Sequence, residues 1–231
     1  MKNLIALSPL ISVVISLIAL GITWKGISQQ SKNADRTDQY QRNTFILQNK
    51  INENNDIISL STKFMEMTNE NHSILINLIR KENELIRLEN QRKTYDFEIL
   101  PDKEKEKFSN LIQKNYDNNT NLYASLNENI FKTFGIIKQL ETKQESIKYW
   151  KEMIKTIEKI RKQVNHGFNI IDTNKFYQNP DKLKDQINTE NNKMQELISE
   201  YVVICTTMQS EMKIEEAKIA ETSINHNFFR K

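Results

Sequence analysis

Residues 57–99 read IISLSTKFMEMTNENHSILINLIRKENELIRLENQRKTYDFEI. A strict three–four alternation runs through them: Ile57, Leu60, Phe64, Met67, Asn71, Ile74, Leu78, Lys81, Leu85, Leu88, Arg92, Tyr95 and Ile99, with ten of these 13 positions apolar. That is the a/d seam of a helix, sustained for about six heptads. Ile58, Met65, Ile79 and Ile86 widen the stripe, which suits a multi-helix bundle better than a two-stranded coil. Asn71 sits in the seam, where a polar residue fixes register at a cost in stability.

Beyond this stretch, Pro101 disfavours helical geometry at Leu100, so the first long helix is expected to stop near there. The mixed-charge run at 102–107, DKEKEK, reads as a solvated helical face. A second helical pattern covers 103–172, with the Asn-rich cluster at 117–121 a candidate interruption, since Asn and Asp compete for backbone hydrogen bonds. Asn179-Pro180-Asp181 combines an N-cap residue, proline at N1 and an acid, and opens a third helix over 180–224. The expected domain at 27–231 is thus an all-α antiparallel bundle or coiled coil of three to four long helices, the first over about 27–100.

Composition agrees. Four Gly and three Pro in 231 residues supply too few turns for sandwiches, barrels or glycine-looped nucleotide folds. A net charge of +3 makes no case for a polycationic nucleic-acid coat. The single cysteine, Cys205, excludes an intrachain disulfide framework and falls on an apolar helix face, as a core residue would.

Residues 4–24, LIALSPLISVVISLIALGITW, carry no charge over 21 positions. As a helix they would measure about 31 Å, close to the hydrocarbon thickness of a bilayer. The run exceeds a signal-peptide core and no A-x-A-like site follows, so residues 1–26 are expected to form an uncleaved, single-pass transmembrane anchor. Lys25, Lys32, Arg36 and Arg42 outnumber the basic groups before the span, which puts the bulk of the chain on the cytoplasmic face of the cell membrane. Ser8, Ser12, Ser16 and Ala19 form a stripe of small residues through which two such helices could pack, making a homo-oligomer the expected state.

Chemistry is sparse. His72, His166 and His226 are the only histidines, none at metal-ligand spacing, so no metal and no cofactor is expected. His72 is read as helix surface. Residues 160–168, IRKQVNHGF, place Arg161 five positions before His166, followed by Gly167 and Phe168. This arrangement resembles the signature of the HEPN superfamily, all-helical domains that include metal-independent RNases of toxin and phage-defence systems. The resemblance covers nine residues. It implies that Arg161 holds the scissile phosphate, that His166 exchanges a proton with a ribose 2′-OH, and that two protomers bring their motifs together. Histidine titrates near neutrality and guanidinium matches phosphate, so the roles are chemically sound. Read without the resemblance, Arg161 occupies a seam position and snorkels from the bundle, and His166-Gly167 is a helix-ending signal.

Two functions lead, ahead of a third in which the single membrane helix oligomerises into a pore that lacks a charged residue to line an ion path. The first is a membrane-anchored bundle acting through protein–protein interaction or oligomerisation, with a partner the sequence does not identify. The alternative is a membrane-tethered, HEPN-like RNase acting on RNA.

Overall fold

The computed structural model describes residues 8–172 and 180–228, apart from the side chains of 8–15, 17, 18, 95, 171, 172, 180, 181 and 222–228. Every regular element among them is helical: α1 (Ser8–Arg92), the single turn α2 (Tyr95–Glu98), α3 (Asp102–Glu141), a 3₁₀ turn (Gln144–Ser146), α4 (Trp150–Asp172) and α5 (Pro180–Phe228). The chain divides into two units, one of residues 54–212 and one of residues 1–53 with 213–231.

The unit of residues 54–212 is a four-helix bundle, and its side-chain contacts fix the directions. Lys143 pairs with Asp56, Thr133 with Asn71 and Tyr116 with Glu89, so α3 runs antiparallel to α1. Tyr149 meets Glu211, Lys159 meets Glu200 and Gln163 meets Glu190, so α5 runs antiparallel to α4. Phe64 against Tyr201 and His72 against Asn191 set α5 antiparallel to α1. The result is the up-down-up-down order that short connections favour.

The seam on α1 faces inward for most of its length. Ile57, Leu60, Phe64, Leu78, Leu85 and Leu88 are buried. One apolar cluster gathers Phe64, Leu140, Met153, Ile157, Met194 and Tyr201, and a second gathers Leu75, Leu78, Leu126, Ile170, Leu183 and Ile187. A small third cluster joins Leu85, Leu88 and Ile112.

Three local expectations change. The first helix ends at Arg92, not Leu100, because the seam residues Arg92 and Ile99 have no core to face and are exposed. The chain turns at 93–94, where Thr94 Oγ1 donates to the Gln91 carbonyl at 2.6 Å. The Asn-rich cluster does not interrupt α3: Asn115 and Asn119 are buried, and Asn115 Nδ2 donates to the Leu111 carbonyl at 2.9 Å. The break falls instead at 142–149, where Thr142 Oγ1 bonds the Gln139 carbonyl and Ile147 turns extended while staying buried.

The transmembrane expectation is corrected. Among the described residues no helix is long and apolar enough to cross a membrane. A span needs about 20 consecutive apolar residues. Of the candidate, residues 4–7 lie outside the described residues, as do the side chains of 8–15, 17 and 18. From Ala19 the uncharged stretch lasts six residues before Lys25, and Lys32, Asp35, Arg36, Asp38 and Arg42 follow on the same helix. The single-pass architecture, the membrane anchor and the cell-membrane location with a cytoplasmic body are therefore not supported.

Candidate functional site: a polar layer through the bundle

Between the two larger apolar clusters all four long helices contribute polar side chains at one level. Helix α1 supplies Asn71 and His72, α3 supplies Thr133, α4 supplies Gln163 and His166, and α5 supplies Gln186, Glu190 and Asn191.

Glu190 is the centre of the layer. It is only 2% exposed. Gln186 Nε2 donates to its Oε1 at 3.0 Å, Gln163 Nε2 donates to its Oε2, and His166 Nδ1 lies 3.1 Å from Oε1. Burying a carboxylate is costly unless donors converge on it, and here three do. The helical period explains its position: Leu183, Ile187, Glu190, Met194 and Leu197 continue one three–four seam, so the acid takes a slot that an apolar residue would otherwise fill.

His72 and Asn191 stand beside it. His72 is buried, not on the helix surface as its sequence neighbourhood implies. Its Nε2 lies 2.8 Å from Asn191 Oδ1, and an amide oxygen only accepts, so the imidazole carries its proton on Nε2. Burial lowers the His72 pKa below 6.5, with the Asn191 bond and the Glu190 charge opposing it more weakly.

The sequence-derived pair Arg161 and His166 takes two different places. Both lie on α4, which continues past them to Asp172, so His166-Gly167 does not end the helix. Five residues apart means about 140° around the helix and about 7.5 Å along it. The Arg161 guanidinium lies over the Phe134 ring, 4.9 Å from its centroid, and lines a cleft between α1, α3 and α4. His166 does not line that cleft; it is half exposed and paired to Glu190. One chain therefore does not bring the two side chains into one pocket. Gly167 is set by packing: a Cβ there would sit 2.3 Å from Leu75 Cδ2.

Of the small-residue stripe, the side chains of Ser8 and Ser12 lie outside the described residues, while Ser16 and Ala19 are exposed. Thr23 Oγ1 donates to the Ala19 carbonyl at 2.8 Å. Cys205 is half buried next to Tyr201, and burial pushes its thiol pKa up, which makes it a poor nucleophile.

Sequence reasoning missed Glu190, Gln163, Gln186 and Asn191. The available signal was an acid in an otherwise apolar seam, the same signal that picks out Asn71.

No protein-family model matches the chain, and neither a curated protein nor a solved structure gives a significant match.

Proposed function

We propose that the protein works by association with protein, first of all with a second copy of itself, through helix α1 ahead of the bundle. The observation that carries this reading is the exposure of α1 at every position from 19 to 42. Leu20, Ile22, Trp24 and Ile27 are each more than half exposed there, and Phe45 and Ile46 follow. An isolated helix gains little from its own hydrogen bonds in water, and helical stability comes mostly from burying an apolar face. A second copy supplies the same apolar side chains, and Ser16, Ala19 and Thr23 offer small side chains for close approach. Charges of both signs at Lys32, Asp35, Arg36 and Asp38 can pair between copies.

Sedimentation equilibrium of the full chain tests the reading. Dimers or larger species at micromolar concentration are expected, weakened at least tenfold by Ile22→Asp or Trp24→Asp. A monomer at all concentrations, with the variants indistinguishable from it, overturns the reading.

A second reading, metal-independent RNA cleavage, is favoured by one observation: the buried carboxylate of Glu190 against His166 Nδ1. A carboxylate in that position fixes the tautomer and leaves Nε2 of a half-exposed imidazole for proton transfer. In that reading Arg161 comes to His166 from another copy. The test is cleavage of a fluorescently labelled RNA in EDTA: activity abolished by His166→Ala supports the reading, and intact RNA rejects it.

A further inference from the structure

A groove between α1 and α5 gathers three sulfur-bearing side chains: Met65 from α1, and Cys205 and Met208 from α5, all line it. Its volume is about 150 Å³. The helix register brings the three together. Phe64 meets Tyr201 with ring centroids 4.9 Å apart, which sets the level at which the two antiparallel helices pair. On α5, Tyr201, Cys205 and Met208 follow at i, i+4 and i+7, one face of the helix. On α1, Ile58, Ser61 and Met65 do the same at i, i+3 and i+7. Met65 and Cys205 are half buried, and the exposed Thr62, Val202 and Thr206 form the mouth, so a solute reaches both sulfurs. Met208 is 2% exposed, and its unbranched thioether has the rotamer freedom to turn into the groove.

Two walls of the groove carry a second signal. Ser61 and Tyr201 are buried, and their hydroxyl oxygens make no hydrogen bond. Sealed behind Cys205, they need not touch a ligand. A hydroxyl donor beside a neutral thiol gains little, because a thiol sulfur is a weak acceptor; beside a thiolate it is satisfied. The geometry points to a Cu(I) site in this groove, with Cys205 Sγ and the thioethers of Met65 and Met208 as its ligands. Thiolate and thioether are the soft donors that Cu(I) selects. Among the described residues no group of His, Cys, Asp and Glu could hold a metal, so Zn(II) finds no comparable donor set. On binding, the Cys205 S–H bond breaks, its proton leaves to solvent and an S–Cu bond forms. The copper arrives and stays as Cu(I), so no oxidant or reductant is needed. The site does not depend on self-association or on RNA cleavage.

The test is competition for Cu(I) between the reduced full chain and the chromogenic chelator bicinchoninate, without oxygen. The chain is expected to withdraw one Cu(I) from the chelator, and Cys205→Ser to abolish the withdrawal. Met65→Leu and Met208→Leu keep the side-chain volume and should each weaken Cu(I) about tenfold. Circular dichroism confirms that the variants are folded. In the unaltered chain, methionine-methyl NMR should show the Met65 and Met208 signals moving on titration with Cu(I) and staying in place with Zn(II). Failure to hold Cu(I) against the chelator overturns the inference. So does retention that both leucine variants leave unchanged, as expected of a bare thiol, and so do methionine signals that stay still.

Discussion

The Nδ1 atom of His166 lies 3.1 Å from Oε1 of Glu190, a half-exposed imidazole against a carboxylate that is 3% exposed at its side chain. The pair is asymmetric. The histidine side is open to water, so its hydrogen bond to the carboxylate is worth about 1 kcal/mol or less. The glutamate side is sealed, and the amides of Gln163 and Gln186 also depend on it.

Glu190→Gln should therefore destabilise the bundle by about 1–3 kcal/mol, mainly because an amide offers one acceptor oxygen to three donors and turns its own N–H₂ toward one of them. Urea unfolding of the variant against the parent measures it. His166→Ala, which leaves the two glutamine donors in place, should cost less than Glu190→Gln. The reverse order would mean that the histidine, not the amides, holds the acid.

His72 predicts a pH dependence. Its folded pKa is depressed below 6.5, chiefly by burial, with Glu190 the facing charge on α5 and Arg80 on its own helix at the same groove. The unfolded chain therefore binds the proton more readily than the folded one. The stability tied to neutral His72 is fully present above about pH 6.5 and is lost as pH falls through the lower folded value. His72→Gln keeps a donor for Asn191 but does not titrate. Its urea midpoint should fall less than the parent's between pH 6.5 and 5, and parallel midpoints would contradict the assignment.

Much of this was legible in advance. The all-helical class and the inward stripe from Ile57 to Leu88 follow from a period of three and four that tertiary packing reinforces. The end of α1 was not legible, because Ile99 is apolar and in register, and its 65% exposure reflects only the lack of a facing helix. The break after Glu141 lacks Gly and Pro, and no propensity marks it. At the site, Asn71 was visible as a polar seam residue, whereas Glu190 looked like one acid among 30 Asp and Glu. His166 was found by spacing, yet its partner sits 24 positions away on another helix, a pairing only the bundle creates.

Gly167→Ala pits helix propensity against space. Alanine gains up to about 1 kcal/mol in a helix interior. Its Cβ would meet Leu75 Cδ2 at 2.3 Å and Cγ at 3.0 Å, and Leu75 is 2% exposed within the second apolar cluster. Overpacking commonly costs about 1–3 kcal/mol, so a net loss of about 1–2 kcal/mol is expected. In a Leu75→Ala background the same change should turn neutral or stabilising. A double-mutant cycle showing no coupling would contradict the contact.

Phe64 is 1% exposed, and its ring centroid lies 4.9 Å from that of Tyr201. Phe64→Ala should cost about 3–5 kcal/mol by combined loss of burial and creation of a cavity. Thermal unfolding followed by circular dichroism checks it. A loss below about 1 kcal/mol would mean that the first apolar cluster is not packed as described.

The claim that matters most is that residues 19–42 owe their helix to a second copy. Hydrogen exchange of their backbone amides, measured from nanomolar to high micromolar protein, tests it directly. Protection is expected to rise with concentration, in step with the dimer fraction. Protection that stays the same at every concentration would contradict it.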